Sequence, residues 1–316
     1  MRLLIARPMP ETVEARARVA FDTTVRASNV PMSRDEMLVA LRDFDAVIPT
    51  LGDAFSAEVI AEAGTPRCKL LANFGVGFNH IDVAAAGSAG IAVSNTPGAV
   101  TDATAVVAMT LMLMSARRAG EGERMVRSGQ WAGWHPTQML GLHLTGKTVG
   151  IVGLGRIGQA IAQRCHFGFG MTVHYFGRSP KDVPFPATYH DSLRGMAGAV
   201  DVLVIAVPGS GATHHLINAH ILSAMRPSAH LVNIARGDVV DQAALIAALD
   251  SGQIAGAGLD VYEFEPEVPA ELIARENVTL LPHMGTAALE VRAAMGMMAL
   301  DNVAAFAAGA PLPNAV

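Results

Sequence analysis

The amino-acid sequence predicts an α/β protein of two domains, each built on a doubly wound parallel sheet. Short apolar runs alternate with helix-like stretches along the chain, and this alternation is typical of parallel sheets that carry helices on both faces. A length of 316 residues suits two domains of ordinary size. A glycine-rich turn near the middle of the chain marks the start of the second sheet.

The first hundred residues have the pattern of one such sheet. Apolar runs predict strands at residues 2–6, 46–49, 69–74 and 91–94. Helical patterns lie between these runs, at residues 11–20, 34–41 and 82–89. Ser33 and Glu36 have the spacing of a capping box ahead of the second helix. The breaker Asn-Thr-Pro-Gly ends at Gly98, so the first domain boundary is expected there.

The middle of the chain predicts the second sheet. A long helix is expected from about Asp102 to Ser128, and a loop with Trp131 and Trp134 follows it. Further strands are expected at residues 148–152, 171–176, 201–207, 230–234, 255–261 and 278–281. Helices are expected between them, at residues 159–166, 219–224 and 242–250.

A last helical pattern, from Gly285 to Ala308, would return the chain to the first domain and complete it. The second domain is then an insertion in the first. The predicted boundaries are 1–98 with 285–316 for the first domain and 99–284 for the second.

The turn after the strand at residues 148–152 carries glycines in G-x-G-x-x-G spacing, immediately before a helix. Gly153 allows the tight turn, Gly155 lets a pyrophosphate approach the backbone, and Gly158 lets the helix pack closely on the strand. The N-terminus of that helix would face the phosphate charge. In this strand–turn–helix context the motif predicts a dinucleotide-binding domain of the Rossmann type.

The end of the next strand indicates which dinucleotide is preferred. An NAD-binding unit usually has an acidic residue there, which binds the ribose 2′-hydroxyl, but this chain has Phe176 followed by Gly177, Arg178 and Ser179. Arg178 would pair with a 2′-phosphate and Ser179 would donate its hydroxyl. The sequence therefore predicts a preference for NADPH (NADP), with NADH possible. The alternative interpretation is a solvated Arg-Ser turn.

Composition excludes several classes of protein. Apolar residues make up 51% of the chain and the net charge is −5, so there is no basic field to bind nucleic acid. The longest apolar stretch, residues 103–116, is too short to span a membrane, and the N-terminus lacks the layout of a signal peptide. Cys68 and Cys165 have no metal-ligand spacing, so no metal is expected. We expect two reduced core thiols in a cytoplasmic protein.

Three ionisable residues follow predicted strand ends, where open α/β sheets bind their ligands. Arg236, Glu265 and His283 come after the strands at 230–234, 255–261 and 278–281. Reduction of a 2-oxoacid needs these residue types. A histidine supplies the proton near neutral pH, and a carboxylate on its other ring nitrogen favours the imidazolium. An arginine clamps the substrate carboxylate or polarises the carbonyl.

Each of these residues also has a simpler interpretation. Arg236 could be a surface charge, and His283 could be a hydrogen-bonded core histidine. Glu265 lies in an acidic segment that also contains Glu263 and Glu267. Spacing alone does not choose between Glu263 and Glu265.

With these residues in view, the chain resembles the D-2-hydroxyacid dehydrogenase family from about Lys69 to Ala294. The resemblance is carried, in order, by the blocks NFGVGFNHID, SNTPGAVTDATA, RSGQWAGW, GKTVGIVGLGRIGQAIA, NIARGDVVD, GLDVYEFEP and LPHMGTA. It implies a Rossmann NAD(P)-binding domain inserted in a flavodoxin-like substrate-binding domain. It also implies that the catalytic residues are Arg236, Glu265 and His283, with Glu265 rather than Glu263 as the acid.

The resemblance implies further roles by position. The backbone amides of Val76 and Gly77 would bind the substrate carboxylate, while Leu51 and Thr286 would line the substrate pocket. Asp260 and the carbonyl of Ala235 would hold the nicotinamide amide, with Thr104 nearby. Other cofactor contacts are implied at Arg156, Ile157, Gly177, Val207, Pro208, Thr213 and Gly285.

Within that family, the Gly-Arg-Ser ending and the W-x-x-W loop resemble those of glyoxylate/hydroxypyruvate reductases. The resemblance implies a homodimer in which Trp134 reaches into the active site of the neighbouring subunit; the alternative for Trp134 is ordinary interface packing. The segment Ser210-Gly-Ala-Thr213, which the resemblance places beside the cofactor, departs from the family's usual Thr-Pro-Glu-Thr.

Three functions therefore compete at this point. The first is an NADPH-preferring reductase of glyoxylate and hydroxypyruvate. The second is an NADH-dependent enzyme of broader or different substrate, of the D-lactate or phosphoglycerate type. The third, which is remote, is a non-catalytic scaffold that senses NAD(H).

Overall fold

A computed structural model describes all residues from 1 to 316. The chain forms two compact units. The first consists of Met1–Val100 together with Thr286–Val316, and the second is Thr101–Gly285.

The first unit is built on a five-stranded sheet in the order β2-β1-β3-β4-β5, and all its pairs are parallel. This 2-1-3-4-5 order is the flavodoxin-like doubly wound arrangement. The strands are β1 (Arg2–Ile5), β2 (Asp22–Val25), β3 (Ala46–Ile48), β4 (Leu70–Ala72) and β5 (Ala92–Ser94).

Helices cover both faces of this sheet. They are α1 (Glu11–Ala20), α2 (Arg34–Asp43), α3 (Ala57–Glu62), α4 (Val83–Ser88) and the last helix of the chain, α12 (Leu289–Ala307). Leu3 and Ile5 of β1 pack on the layer that contains α1 and α12, whereas Leu4 packs on the opposite layer, as the alternation of side chains along a strand requires. The capping box predicted for α2 is confirmed, because Ser33 and Glu36 each accept from the other's backbone.

The second unit is built on a seven-stranded parallel sheet in the order β12-β11-β10-β9-β6-β7-β8. Six neighbouring strands of this sheet, in the spatial order β8-β7-β6-β9-β10-β11, have the 3-2-1-4-5-6 order of a Rossmann domain. Strand β12 is one further strand at the edge. The strands are β6 (Thr148–Val152), β7 (Thr172–Phe176), β8 (Ala187–His190), β9 (Val202–Ile205), β10 (His230–Asn233), β11 (Gly256–Leu259) and β12 (Val278–Leu280). The predicted fold class is therefore confirmed.

The helices of the second unit form two layers around a largely apolar sheet. They are α5 (Thr101–Ala116), α6 (Ala119–Arg127), α7 (Arg156–Phe169), α8 (Leu193–Ala199), α9 (Ala219–Leu222), α10 (Gln242–Asp250) and α11 (Ala270–Ile273). Cys165 is buried in one of these layers, and Cys68 is buried in the first unit. Burial raises the pKa of both thiols to about 12.

The prediction of one long helix from Asp102 to Ser128 is wrong. The chain breaks at Arg118, whose φ of 53° is left-handed, so α5 and α6 are separate helices. Strands β2 and β8 were missed because edge strands need not be apolar runs, and these have the sequences DTTV and ATYH. No helix in the structure combines the length and the apolar character that crossing a membrane requires.

A buried histidine in the second unit is expected to make its stability depend on pH. Between α5 and the start of β10, Ser115 Oγ lies 2.8 Å from His230 Nδ1, and burial lowers the pKa of His230 to about 4. Between its ordinary pKa near 6.5 and about pH 4, the unfolded chain binds a proton that the folded chain does not. Stability therefore falls as the pH falls through this window.

We predict that His230→Gln removes about 2 kcal/mol of the stability difference between pH 7 and pH 5. Urea unfolding at the two pH values measures this difference. The exposed His220 provides the control, because His220→Gln should leave the difference unchanged. An unaltered pH dependence in His230→Gln would contradict the prediction.

Candidate active site

The glycine-rich turn joins β6 to α7 in a way that only glycine permits. Gly153 has a φ of 96°, and a Cβ there would lie 2.7 Å from Val207 Cγ1. A Cβ on Gly158 would lie 2.1 Å from the carbonyl oxygen of Gly153. At Gly155, by contrast, no atom lies within 4 Å of the Cβ position. The turn is therefore closed towards the sheet and open at the start of the helix, which fits a dinucleotide pyrophosphate.

The elements around the turn lie where a dinucleotide would need them. Gly155 is the N-cap of α7, and Arg156 and Ile157 form its first turn. The amide of Gly153 donates to the carbonyl of Phe176 at 2.9 Å, so the end of β7 lies beside the turn. Gly177, Arg178 and Ser179 follow directly, and the last two of these are exposed.

The segment after β9 forms a closed loop beside the same turn. Val207 contacts the Cβ position of Gly153, and Pro208 accepts a hydrogen bond from the hydroxyl of Thr213 at 2.8 Å. That hydroxyl also accepts from the amide of Ser210 at 2.9 Å. The loop is therefore held by Thr213. This is the last residue of Ser210-Gly-Ala-Thr213, and it is the position at which the segment matches the family's usual Thr-Pro-Glu-Thr.

Glu265 and His283 form a carboxylate–imidazole pair. Oε2 of Glu265 lies 2.8 Å from Nδ1 of His283, and both side chains are 30% exposed. Oε1 of Glu265 accepts from the amide of Tyr262 at 3.0 Å. Burial acts to raise the pKa of Glu265, but the hydrogen bond and charge of His283 and the amide of Tyr262 outweigh it, so the pKa is lowered.

The backbone around this pair is tightly fixed. His283 has a left-handed φ of 51°, and its amide donates to the carbonyl of Asp260 at 2.9 Å. Tyr262 donates its hydroxyl to the carbonyl of Leu281 at 2.9 Å. With Nδ1 bound to Glu265, Nε2 is the ring nitrogen of His283 that can exchange a proton with a ligand.

Arg236 lies against the loop after β9 and near the carboxylate–imidazole pair. A Cβ on Gly209 would lie 2.7 Å from Cγ of Arg236, and Nη1 of Arg236 donates to the carbonyl of Ala235 at 2.7 Å. Burial lowers the pKa of Arg236, while the charges of Glu265 and Asp238 act to raise it. A guanidinium remains charged under these conditions, so Arg236 provides a half-buried cation.

Two buried polar residues support the backbone here, and the sequence analysis did not identify the first of them. Asn233 accepts from the amide of Ala235 at 3.0 Å and donates to the carbonyl of Arg236 at 2.9 Å. Asp260 accepts from the amides of Met284 and Gly285, each at 2.8 Å. Burial raises the pKa of Asp260 against these hydrogen bonds.

Thr104 lies beside the segment that Asp260 holds. Its hydroxyl oxygen is 3.4 Å from the carbonyl oxygen of Gly285, and its side chain lies 3.5 Å from the Cβ position of that glycine. The structure thus brings Thr104, Asp260 and Gly285 together, as expected for residues that share one part of a cofactor site.

Glu263 has a different partner from Glu265. Its Oε1 lies 2.7 Å from Nε2 of His215, and its Oε2 accepts from the amide of Gln242 at 3.2 Å. The choice that spacing left open is therefore resolved geometrically, because Glu265 is the acid that contacts His283. The sequence analysis did not identify His215.

In the first unit, Leu51 follows β3 and Thr286 lies shortly before α12. The segment with Val76 and Gly77 has its carbonyls bound by two asparagines. Asn73 donates to the carbonyls of Gly75 and Gly77, each at 3.0 Å, and Asn95 donates to that of Val76 at 2.9 Å. The sequence analysis missed both asparagines, although each lies in a block that it quoted.

The side chain of Trp134 is 80% exposed. A cavity of about 710 Å³ lies at the other end of the sheet, where β10 and β12 begin, and α6 lines part of it.

No group of three or more His, Cys, Asp and Glu side chains is arranged to hold a metal ion.

The second unit thus has the fold and turn of a dinucleotide-binding domain, and an acid–base pair and a half-buried cation lie at the carboxyl ends of its strands. These features define a class of nicotinamide-dependent oxidoreductases.

Comparison with known proteins identifies the family within that class. The family model described as "D-isomer specific 2-hydroxyacid dehydrogenase, NAD binding domain" matches residues 109–285. The chain belongs to the D-isomer specific 2-hydroxyacid dehydrogenase family, and the resemblance seen in the sequence is confirmed.

Similar proteins cover the full chain. A glyoxylate reductase of Thermococcus onnurineus is 42% identical over 322 residues, which span 100% of this chain and 95% of the relative. A glycerate dehydrogenase of Hyphomicrobium methylovorum is 38% identical, spanning 100% and 98%. Among solved structures, an NADPH-dependent glyoxylate/hydroxypyruvate reductase from Sinorhizobium meliloti, in complex with NADP and malonate, is 37% identical. It has a TM-score of 0.88 and coverage of 100% and 96%.

Proposed function

We propose that this protein is an NADPH-preferring reductase that converts small 2-oxoacids, glyoxylate and hydroxypyruvate among them, to 2-hydroxy acids. The observation that carries the proposal is the 2.8 Å contact between Glu265 and His283, with Arg236 close enough for its charge to act on Glu265. A general acid beside a carboxylate-binding cation is what reduction of a 2-oxoacid requires. The relatives named as glyoxylate reductases support the choice of substrate.

In this mechanism His283 is the general acid. Glu265 accepts from Nδ1 and stabilises the imidazolium, so Nε2 donates its proton to the carbonyl oxygen of the substrate. A reduced nicotinamide held beside this pair would supply the hydride that the carbonyl carbon accepts. A proton from solvent then returns to His283, and the carbonyl carbon has been reduced to a carbon that bears a hydroxyl.

Arg236 would bind the substrate through its carboxylate and polarise the carbonyl. The amides of Val76 and Gly77 are proposed to contact the same carboxylate, and the bonds from Asn73 and Asn95 to the carbonyls of residues 75–77 support this because they fix the orientation of those peptides. Leu51 and Thr286 are proposed to line the substrate pocket.

For the cofactor, the residues fit the nicotinamide and the phosphates. Asp260, the carbonyl of Ala235 and Thr104 would hold the carboxamide, since the first two lie just beyond strand ends and Thr104, on α5, lies beside Gly285 in the segment that Asp260 holds. The first turn of α7 would bind the pyrophosphate. The preference for NADPH rests on Arg178 and Ser179, which are exposed beside the glycine turn where a 2′-phosphate would lie.

We further propose that the protein is a homodimer. Helix α6 has no buried residue, although Met125 and Val126 lie on it. Val126 is 61% exposed, and Val106 and Leu113 on α5 are 53% and 37% exposed. Apolar side chains gathered on adjacent helices are typical of an interface. A second copy of the chain would cover them and bring its Trp134 to the active site.

The alternative function is an NADH-dependent dehydrogenase of broader or different substrate. Initial rates with glyoxylate, hydroxypyruvate and pyruvate, each with NADPH and NADH, distinguish it from the proposed function. Faster reduction of glyoxylate and hydroxypyruvate with NADPH would support the proposal. Oxidation of neither cofactor with any of the three acids would overturn it and favour a non-catalytic scaffold.

We predict that Arg178→Ala raises the KM for NADPH by about 10- to 100-fold, the range expected for losing a hydrogen bond to a charged group. The KM for NADH should change little, because NADH has no 2′-phosphate, and it serves as the internal control. Equal changes in both values would remove Arg178 from the cofactor site.

We predict that His283→Ala lowers kcat by about 10²- to 10⁴-fold, the usual range for losing a general acid. The exposed His220 offers a matched control, because His220→Ala should retain the kcat of the natural protein. Initial rates at saturating cofactor measure the effect. Undiminished turnover in His283→Ala would show that the proton comes from elsewhere.

We predict that Val126→Glu halves the mass measured by light scattering, from a dimer to the 33.0 kDa monomer. The reason is that a charge would be buried in the interface between copies. Val19→Glu is the control, since Val19 is 91% exposed on α1. A monomeric natural protein, or a Val126→Glu variant that stays dimeric, would contradict the proposed interface.

A further inference from the structure

The acidic segment after β11 holds two carboxylate–imidazole pairs rather than one. Glu265 contacts His283 and Glu263 contacts His215, at 2.8 Å and 2.7 Å. Both histidines have left-handed backbones, with φ of 51° and 48°. Such a conformation is uncommon outside glycine and is held in place by surrounding contacts. The second pair is not explained by the proposed chemistry, because its imidazole is bound through Nε2.

Glu263 joins its own segment to the start of α10. Its Oε2 accepts from the amide of Gln242 at 3.2 Å, and its amide donates to Oε1 of Gln242 at 3.4 Å. The side chain of Glu263 is only 12% exposed, and Gln242 is buried. The two residues therefore form a reciprocal, largely dry connection that holds the segment to the helix.

His215 joins the loop after β9 to the acidic segment that contains Glu263 and to the turn after β10. Besides its contact with Glu263, the amide of His215 donates to the carbonyl of Asp238 at 2.8 Å. Its imidazole stacks on that of His214, which lies 3.9 Å from the carboxylate of Asp238. The hydrogen bond to Glu263 is the largest cause of a raised pKa at His215, and the charges of Glu263, Asp241 and Asp238 add to it.

Three segments meet at the contact between Glu263 and His215: the loop after β9, the turn after β10 and the acidic segment after β11. Each segment also carries a residue of the candidate active site. Thr213 lies two residues before His215, Arg236 two residues before Asp238, and Glu265 two residues after Glu263. The peptides are packed without space between them, since a Cβ on Gly237 would lie 1.8 Å from the carbonyl carbon of Tyr262.

The amide of Tyr262 is in turn the second donor to Glu265. A displacement of Glu263 would therefore move the backbone that holds the carboxylate of Glu265.

We propose that Glu263 and His215 are positioning residues, and that their contact sets the place of the Glu265 carboxylate against His283 and of Arg236 beside it. This inference rests on the proposed function for its effect on turnover. Neither residue touches the substrate or the nicotinamide in this account. The pair acts through Glu265, and a misplacement of about 1 Å at a catalytic group costs on the order of 10²-fold in rate.

The test compares Glu263→Gln and His215→Asn with Glu267→Gln. Glutamine keeps the shape of Glu263 but loses its charge, and asparagine tolerates the left-handed backbone of residue 215. Glu267 is an exposed acid of the same segment, so its variant controls for the loss of one charge. We expect kcat to fall by about 10- to 100-fold in Glu263→Gln, less in His215→Asn, and not at all in Glu267→Gln.

A double variant separates positioning from general loosening of the fold. If Glu263 acts through Glu265, then Glu263→Gln should cause no further loss of kcat in a Glu265→Gln background. The pH profile of kcat should also change in the same direction in Glu263→Gln and in Glu265→Gln. Additive losses of kcat, or a kcat in Glu263→Gln equal to that of the natural protein, would overturn the proposal.

A measurement without substrate distinguishes this inference from the proposed function. NMR of histidine-labelled apo-protein follows the titration of His283, assigned with His283→Ala. Its titration curve should change in Glu263→Gln in the same direction as in Glu265→Gln, and stay unchanged in Glu267→Gln. An unchanged curve in Glu263→Gln would refute the positioning role even in a protein that reduces 2-oxoacids. A changed curve in a protein without that activity would refute the proposed function alone.

Discussion

The parallel register of β10, β11 and β12 is the constraint on which the candidate active site depends. Asn233, Leu259 and Leu280 lie side by side in neighbouring strands, so the chain leaves all three strands at one edge of the sheet. The ladder continues beyond the strands, because the amide of Asp260 donates to the carbonyl of Asn233 and that of His283 donates to the carbonyl of Asp260. A one-residue slip would turn the following side chains to the other face and separate the site.

The sequence was sufficient to predict that edge but not the contacts formed there. Buried parallel strands are apolar runs, so their ends can be located, and ionisable residues just beyond them are few. Contacts between loops are different. Nothing in the sequence connects Glu263 with His215, which is 48 residues away. Glu263 and Glu265 are separated by one residue, so spacing cannot show which of them contacts His283. The break at Arg118 was equally hidden, because it needs a left-handed residue that is not glycine.

Three ionisable groups at this edge respond differently to their partial or complete burial. Burial alone would raise the pKa of a carboxyl and lower that of a guanidinium. Asp260 and Arg236 follow that rule, whereas in Glu265 the imidazole of His283 reverses it. Asp260 binds two backbone amides and fixes the segment that begins at residue 283. The carboxyl that contacts the imidazole is therefore the one whose pKa is lowered, which suits a pair that must stabilise a positive charge.

The loop after β9 shows why its divergent sequence is compatible with the site. Thr213 closes the loop through its hydroxyl, which bonds to Pro208 and Ser210, so the two residues between Ser210 and Thr213 make no contact that the closure needs. Gly209 leaves room for the stem of Arg236, and His215 fastens the far end of the loop to Glu263. The geometry of the loop therefore depends on Gly209, Thr213 and His215, together with Ser210 as the partner of Thr213. Residues 211 and 212 lie between these fixed points, and the departure of the sequence there leaves the closure of the loop intact.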